Sequence, residues 1–320
     1  MVFRKPIVIV SLFIVALLAA ITLYFLQSIA VKQNLHLSSD KSADVVEYLQ
    51  KEGVKVGTLD ELFLSFTTKP IKGWIYLNKK SMPRFKFLLL LGRKSIHYAP
   101  VTIVPGETSY FVLENLAKKL KFDKEKLEKS YRRLAPYKEG NILADTYNIP
   151  IYFDENRTVK FLLESSMKKY KKLSMSYYND FNTTAWKRIV TIASIVQKEA
   201  ANRSEMPIVA SVIFNRLHKK MRLQMDGTLN YGAYSHTKVT PLRIKNDKSS
   251  YNTYKHKGLP KEPVCNVSIA ALKAAIVPAK SNYLYFMKSK NGIHNFSVEY
   301  KTHIKNVQKR REEGRSHISK

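Results

Sequence analysis

One acidic residue ends the most regular apolar helix pattern in this sequence, at residues 186–200. Ile192, Ile195 and Val196 share a helix face with Glu199, because side chains three, four and seven positions apart project the same way. A carboxyl group on an apolar face is poorly solvated, which raises its pKa and lets it act as a general acid near neutral pH. The alternative is that Glu199 turns outward to water, as most helical glutamates do.

Polar side chains collect in the segments that follow this helix. Asn215 lies near the end of the next apolar helix, Gln224 and Asp226 lie in a glycine-bracketed loop, and Asn252 lies in Y-N-T-Y. Amides and carboxylates of this kind bind sugar hydroxyls, and tyrosine rings stack on sugar faces. The same residue types are ordinary turn formers, so the loops alone leave both interpretations open.

The sequence lacks the motifs of several other kinds of catalytic or binding site. The single Cys265 excludes intramolecular disulfides and thiolate metal clusters. The eight histidines are scattered, and the sequence contains no G-x-x-x-x-G-K, G-x-S-x-G or H-E-x-x-H motif. We therefore expect neither a metal ion nor an organic cofactor.

The composition is that of a packed but strongly basic protein. Among 320 residues, 45% are apolar. The sequence contains 55 Lys and Arg and 25 Asp and Glu, so its formal net charge is +30. This length accommodates two domains beyond any anchor. The charge favours a polyanionic partner such as nucleic acid, an anionic membrane or an acidic wall polymer. Because the lysines are spread along the whole chain, general solubility explains the charge equally well.

An apolar segment near the N-terminus predicts a membrane anchor at residues 7–27. Residues 7–26 are uncharged and mostly apolar, and a run of that length crosses a bilayer as a helix. Arg4 and Lys5 precede it, which predicts a cytoplasmic tail at residues 1–6 and everything later outside. The alternative is a cleaved signal peptide, but this run is longer than such cores and no A-x-A site follows it. An external location argues against nucleic acid as a partner.

The remainder predicts an α+β protein of two soluble parts. Residues 32–100 form a small module, including a helix at 58–66 that begins with a Thr58–Glu61 capping-box spacing. Residues 101–320 form a larger mixed domain, with a loop expected at 139–150 and a helix at 158–173.

Six ordered motifs resemble the endolytic murein transglycosylases of the YceG-like family. They are I-A-S-I-V-Q-K-E-A, V-I-F-N-R-L, M-R-L-Q-M-D-G-T, Y-N-T-Y with G-L-P, Y-L-Y-F and H-N-F-S. Weaker matches at V-P-G-E-T and A-D-T-Y extend the resemblance from about Gly73 to Val307.

The resemblance implies an architecture and an activity. A LysM-like module would follow a single-pass anchor in the cell inner membrane, and a periplasmic domain would cleave peptidoglycan glycan strands. Glu199 matches the family's catalytic acid, while Asn215, Gln224, Asp226 and Asn252 would orient the sugar. An enzyme of this kind would clip nascent strands beside wall synthesis, so synthase partners are expected.

Three positions depart from the family pattern. Gln197 stands where the family has the first acid of its A-S-I-V-E-K-E segment, and Gly227 stands where proline usually follows the aspartate. Ala144 precedes Asp145 where the family has F-P. The acid at Glu199 is retained, whereas the local loop geometry at Gly227 and Ala144 stays open.

The resemblance favours a cleavage that uses no water. Glu199 would protonate the leaving oxygen between MurNAc and GlcNAc, then take the proton of the MurNAc 6-hydroxyl as a 1,6-anhydro end forms. The alternatives are a hydrolase of the same wall, with Glu199 as acid and Asp226 as base or nucleophile, and a non-catalytic wall-binding membrane protein. A nucleic-acid-binding role would require a cytoplasmic soluble part.

Overall fold

The computed structural model describes residues 4–77, 79–93 and 98–315 as a mixed α+β protein with one apolar N-terminal helix. This confirms the α+β class. The chain divides into two compact units. The first unit is Met1–Tyr98 with Pro150–Tyr152, and the second is Ala99–Ile149 with Phe153–Lys320.

The first unit combines four helices with two antiparallel strand pairs. Its elements are α1 (Arg4–Leu26), β1 (Ser28–Ala30), β2 (Asn34–Leu37), α2 (Ser42–Lys51), α3 (Thr58–Thr67), β3 (Gly73–Tyr76), β4 (Ser81–Pro83) and α4 (Arg84–Leu91). Strand β1 pairs with β4, and β2 pairs with β3. The core between the helices and strands includes the fully buried Leu35, Leu49 and Phe87.

Helix α1 is long and apolar enough to cross a membrane over Val8–Leu26, judged by length and composition. Every residue from 8 to 20 is exposed, whereas Tyr24 and Phe25 in the last turn are half-buried. The fully exposed part of the helix therefore ends at residue 20, and the last turn packs against the rest of the first unit.

A buried ion pair joins the end of α1 to α3 and α4. Asp60 Oδ2 accepts hydrogen bonds from Tyr24 OH at 2.7 Å and from Arg84 Nη1 at 2.7 Å. It also accepts the Gly57 N–H at 2.8 Å. Asp60 rather than Glu61 therefore bonds back to the start of α3, and the helix cap lies at Gly57, one residue earlier than the sequence pattern predicts.

The second unit is mainly helical. Its elements are β5 (Tyr98–Thr102), α5 (Ser109–Leu120), α6 (Lys124–Leu134), β6 (Thr146–Pro150), α7 (Glu155–Tyr178), α8 (Thr183–Glu199), α9 (Met206–His218), α10 (Pro241–Asn246), α11 (Ile269–Ile276), β7 (Tyr285–Lys288), β8 (His294–Ser297) and α12 (Tyr300–Arg315). Strand β5 pairs with β6, and β7 pairs antiparallel with β8.

Two local predictions differ from the structure. The expected loop at 139–150 ends in strand β6, whose alternating burial was hidden among turn-forming residue types. The helix expected at 158–173 extends from Glu155 to Tyr178, because Asp154 caps it earlier by accepting the Arg157 N–H at 2.7 Å.

Helix α8 is the central element of the second unit. All residues from Val190 to Val196 are buried, so the helix is enclosed on every side and not only along one apolar stripe. It packs against α9 and α11. Asn182 caps its start by accepting the Ala185 N–H at 3.0 Å. This enclosure fixes the position of the residue that ends the helix.

Breaking the buried ion pair tests how far the first unit depends on it. Arg84→Met leaves the Asp60 carboxylate buried without its cation, which should lower the free energy of unfolding by about 3–5 kcal/mol. The control is Lys32→Met, since the Lys32–Glu52 pair is exposed at 57% and 33% and should contribute under about 1 kcal/mol.

Guanidinium unfolding of the full chain in detergent micelles, followed by Trp74 emission in a shared Trp186→Phe background, measures both changes. Equal midpoints for the two variants would show that the buried pair adds nothing beyond a surface pair.

Candidate functional site

Glu199 is the last residue of α8, and the residue as a whole is half-buried. Its Oε1 accepts the Gly227 backbone N–H at 2.6 Å. Burial raises the pKa of this carboxyl to about 7, and the Asp226 charge adds to the increase, while the Gly227 hydrogen bond and the Arg216 cation oppose it. The group is therefore divided between its acid and base forms near neutral pH.

That protonation state suits proton transfer in both directions. A carboxyl group with a pKa near the ambient pH can give a proton to a leaving atom and then take one back. Partial exposure matters equally, because a fully enclosed Glu199 could not touch a bound molecule. The site has the properties of a general acid–base catalyst.

Gly227 makes the close approach to Glu199. It belongs to a short 3-10 helix, Asp226–Leu229. A Cβ at this position would lie 2.6 Å from Lys198 Cβ and 2.8 Å from Glu199 Oε1, distances at which no side chain fits. Proline, which the family usually has here, also lacks the N–H that bonds Glu199. Glycine supplies both the space and the donor.

Arg216 holds two loop segments beside the acid. This buried residue of α9 donates from Nη1 to Leu223 O at 2.7 Å and from Nε to Leu284 O at 2.6 Å. Its charge also lowers the pKa of Glu199. Arg216 thus fixes the loop before Asp226 and favours the ionised form of the carboxyl.

Gln224 and Asp226 are exposed and precede Gly227, the residue whose N–H bonds the Glu199 carboxyl. Gln224 has a positive φ of 50°, a left-handed conformation that is unusual for a residue other than glycine. Tyr254 OH donates to Asp226 Oδ1 at 2.7 Å. Burial, followed by the Asp226 interaction, raises the pKa of Tyr254, so the phenol remains a hydrogen-bond donor.

Asn215 and Asn252 bond to the protein's own backbone. Asn215 Nδ2 donates to Ser281 O at 2.8 Å and to Tyr283 O at 2.9 Å. Asn252 is fully buried, and its Nδ2 donates to the carbonyls of Ile244 and Asp247, both at 2.8 Å. Among the five residues selected from the sequence, the structure places Gln224, Asp226 and Glu199 around one loop, and these two asparagines brace the surrounding segments.

The two other departures from the family pattern have structural explanations. Gln197 Oε1 accepts hydrogen bonds from Ser268 Oγ at 2.7 Å and Ser268 N at 3.2 Å, where α11 begins. An amide oxygen serves here as well as a carboxylate would. Ala144 donates its N–H to Val267 O at 2.9 Å, a bond that proline could not form.

Glu205, between α8 and α9, forms a buried pair with His294. Glu205 Oε2 lies 2.7 Å from His294 Nδ1, and Glu205 Oε1 accepts the His294 N–H at 2.7 Å. Burial acts to raise the pKa of Glu205, but the hydrogen bonds from His294 outweigh it and the pKa is lowered. Glu205 also accepts the Ala201 N–H, so the pair fixes the backbone that leaves α8.

Glu139 is a second carboxyl that the sequence analysis missed. Burial raises its pKa to about 7, although it accepts the Ser109 N–H at 2.8 Å. The adjacent Gly140 has φ +77°, and a Cβ there would lie 2.8 Å from Val190 Cγ1 on α8. The sequence pattern that could have indicated Glu139 is the Glu-Gly pair before an apolar segment, but the same pair is typical of an ordinary turn.

Arg216, Tyr254 and the Gly227 amide are further site groups that the sequence pattern does not predict. Arg216 was visible as the only cation inside the apolar V-I-F-N-R-L run, where burial implies bound partners. Tyr254 stands in the Y-N-T-Y motif, but nothing in its spacing indicates Asp226. A backbone donor leaves no signal in residue types.

Comparison with known families and proteins gives consistent matches. The model of the YceG-like family matches residues 37–309. A protein of Bacillus subtilis (strain 168) named endolytic murein transglycosylase is 31% identical over 173 residues, covering 53% of this chain and 47% of that protein. One with the same name from Streptococcus pneumoniae (serotype 2, strain D39) is 31% identical over 157 residues, covering 47% of this chain and 28% of that protein. The matches span about half or less of those relatives' lengths.

A solved structure has the same fold. The crystal structure of a yceG-like protein from Listeria monocytogenes superposes with a TM-score of 0.55 at 23% identity. The superposition covers 87% of this chain and 98% of that one.

The raised pKa of Glu199 predicts a particular pH dependence of stability. The folded state holds the proton up to about pH 7, whereas the ordinary value is 4.5, so stability from this group is lost as pH rises between those values. The Glu199→Gln side chain cannot ionise. As pH rises across this interval, the free energy of unfolding of the variant should therefore increase relative to that of the unsubstituted protein.

Denaturant midpoints measured from pH 2 to pH 8 test this, because the Glu114 control changes below pH 4.5 and the Glu199 carboxyl changes above it. Glu114→Gln is the control of opposite sign, because the hydrogen bond and charge of Lys118 lower the pKa of Glu114. A constant difference between the unsubstituted protein and Glu199→Gln across the whole range would show that Glu199 has an ordinary pKa.

Proposed function

We propose that this chain, which belongs to the YceG-like family, is a peptidoglycan lytic transglycosylase that cleaves the glycosidic bond between MurNAc and GlcNAc. The observation that carries the proposal is the half-buried Glu199 with a pKa of about 7, at the position that matches the family's acid. The name endolytic murein transglycosylase, given to both relatives, supports the same activity.

The first step is proton donation by Glu199. The Gly227 N–H bonds Oε1, which leaves Oε2 to carry the proton. That proton passes to the glycosidic oxygen as its bond to C1 of MurNAc breaks, and the GlcNAc 4-hydroxyl leaves. The developing positive charge at C1 and the new carboxylate arise together.

The second step returns the enzyme to its starting form. The Glu199 carboxylate takes the proton of the MurNAc 6-hydroxyl, and that oxygen bonds to C1 to close a 1,6-anhydro ring. One bond to C1 breaks, one forms, and no water is consumed. Because the substrate supplies the nucleophile, one carboxyl suffices, whereas a water-using glycosidase normally needs two.

The other site residues have supporting roles in this proposal. Gln224 and Asp226 are exposed and bind sugar hydroxyls, with Tyr254 orienting the Asp226 carboxylate. Asn215 and Asn252, first considered as sugar ligands, contribute by holding the loops, since their amide N–H groups bond backbone carbonyls. The reaction requires no metal or organic cofactor.

We further propose a single-pass inner-membrane protein with a cytoplasmic N-terminus and a periplasmic catalytic domain. The apolar α1 supports the anchor, and Arg4 and Lys5 before it support the orientation. The β2–α2–α3–β3 order with antiparallel outer strands supports a LysM-like module in the first unit. Cell-wall synthases are the proposed partners, and nucleic acid is not.

The second candidate is a hydrolase of the same substrate. Its support is the position of Asp226, an exposed carboxyl whose charge contributes to the pKa of Glu199. In that mechanism Asp226 activates water or forms a glycosyl intermediate, and the product has a reducing end.

Product analysis of two variants separates the candidates. Glu199→Gln keeps an oxygen for the Gly227 bond but cannot donate a proton, so strand cleavage should fall about 10²–10⁴-fold. Mass spectrometry of muropeptides from purified peptidoglycan should show 1,6-anhydro ends with the unsubstituted protein, lighter by one water than reducing ends.

Asp226→Asn is the matched control. It should retain anhydro products with weaker substrate binding, whereas a hydrolase would lose turnover. Reducing ends, or equal losses in the two variants, would contradict the lyase mechanism. Unchanged cleavage by Glu199→Gln would remove Glu199 from the reaction.

Adding one methyl group tests the contact between Gly227 and the acid. Gly227→Ala places a Cβ 2.8 Å from Glu199 Oε1, so the loop must move away. A displacement of about 1 Å can reduce turnover about 10²-fold while the acid itself is retained. The control is Gly57→Ala, where a Cβ meets nothing within 4 Å. Equal cleavage rates for both variants would show that the close approach is dispensable.

A further inference from the structure

Helix α3 carries an exposed apolar stripe made of Leu59, Leu62 and Phe66. These side chains are 43%, 54% and 83% exposed. Their spacing of three and four residues places them on one side of the helix. Large apolar groups concentrated in this way on one face mark a contact surface more often than scattered ones do.

The stripe continues into the contact between α3 and the membrane-length helix α1. The rings of Phe25 on α1 and Phe63 on α3 have centroids 4.8 Å apart. At about 100° per residue, Phe63 lies about 40° around α3 from Leu59 and about 60° from Phe66. One apolar surface therefore runs from the end of α1 across Phe63 to the exposed stripe.

Polar contacts hold the two helices together at the same level. Tyr24 OH donates to Asp60 Oδ2 at 2.7 Å, and the Arg84 guanidinium lies 4.1 Å from the centroid of the Tyr24 ring. The last turn of α1 is thus part of the first unit and not a free linker.

The length of the apolar span then sets the depth of α3. Val8–Leu26 has 19 residues. At about 1.5 Å per residue the span measures roughly 28 Å, close to the roughly 30 Å hydrocarbon core of a bilayer. A span with no surplus length places Tyr24 and Phe25 at the membrane boundary. Because packed helices lie only about 8–10 Å apart, α3 then lies close to the same boundary.

We propose that Leu59, Leu62 and Phe66 of α3 insert into the interfacial layer of the bilayer that α1 crosses. The first unit then rests on the membrane through two helices, one crossing it and one lying along its surface. This inference rests on the proposed role of α1 as a membrane anchor.

The remaining side chains of α3 are compatible with that position. Asp60 is buried and paired with Arg84, so its charge does not face lipid. The other exposed residues, Thr58, Ser65 and Thr67, are uncharged, and the half-buried Glu61 lies about 160° around the helix from Leu59, on the side away from the stripe. An amphipathic helix in this layer places its apolar face about 5–10 Å into the headgroup boundary.

Site-specific labelling of the full chain tests the proposal. Phe66→Cys is labelled with an environment-sensitive fluorophore and reconstituted into phosphatidylcholine–phosphatidylglycerol vesicles. The unsubstituted protein is the labelling control, because its single Cys265 is buried and burial raises the pKa of that thiol to about 12. Ser65→Cys, about 100° around the helix, is the matched site.

The label at position 66 should shift its emission to shorter wavelength in vesicles. Lipids with a spin label near the headgroup should quench it more strongly than lipids labelled deep in the chain, and more strongly than they quench position 65. An unshifted, unquenched label on protein that stays with the vesicles would overturn the proposal. Energy transfer between labelled copies without lipid quenching would assign the stripe to a second copy instead.

Alkaline carbonate washing separates this result from failure of the anchor. Protein that is extracted by the wash shows that α1 does not span the bilayer, and the inference then fails with its premise. Protein that resists the wash and shows no quenching keeps the anchor and refutes only the stripe.

Discussion

The site depends on one close approach, between the Gly227 amide and the Glu199 carboxyl. Burial at the end of α8 strengthens proton binding, and the amide hydrogen bond weakens it, so the two influences leave the pKa at about 7. The enclosure of α8 matters because it fixes the position of the carboxyl relative to this amide.

Side-chain bonds to backbone groups, and not extended sheets, hold the loops around this contact. In the parts of the chain that the structure describes, each sheet has two strands. Arg216 and Asn215 donate to carbonyls of a segment far away in the chain, and Asn252 donates to carbonyls of the segment that directly precedes it. Buried donors that lose such partners incur a large desolvation cost, so these bonds define a single arrangement of the loops. The polar residues near Glu199 are therefore of two kinds: some have exposed side chains, and others donate hydrogen bonds to backbone carbonyls.

Glu199 could be predicted from the sequence, whereas the groups that surround its carboxyl could not. Periodicity placed Glu199 with Ile192, Ile195 and Val196, and the ordered motifs selected it over Gln197. The long helices were predictable because their apolar spacing repeats over several turns. The burial of Asn252 was not, since asparagine in a polar loop has the same local pattern whether it faces water or backbone carbonyls. Glu139 and the Gly227 donor were hidden for related reasons, because their roles arise from packing between segments distant in sequence.

The lack of space at Gly227 has a consequence for how this position can change over generations. Converting a glycine codon (GGN) to a proline codon (CCN) requires two nucleotide substitutions, through alanine or arginine. Both intermediates carry the Cβ that would lie 2.6 Å from Lys198 Cβ. A change from glycine to proline at this position therefore passes through a residue whose Cβ lies too close to Lys198 unless the loop moves. Lys198 or the loop backbone must shift before such a side chain fits. The residue at position 227 is therefore constrained by the packing of its neighbours as well as by its own hydrogen bond.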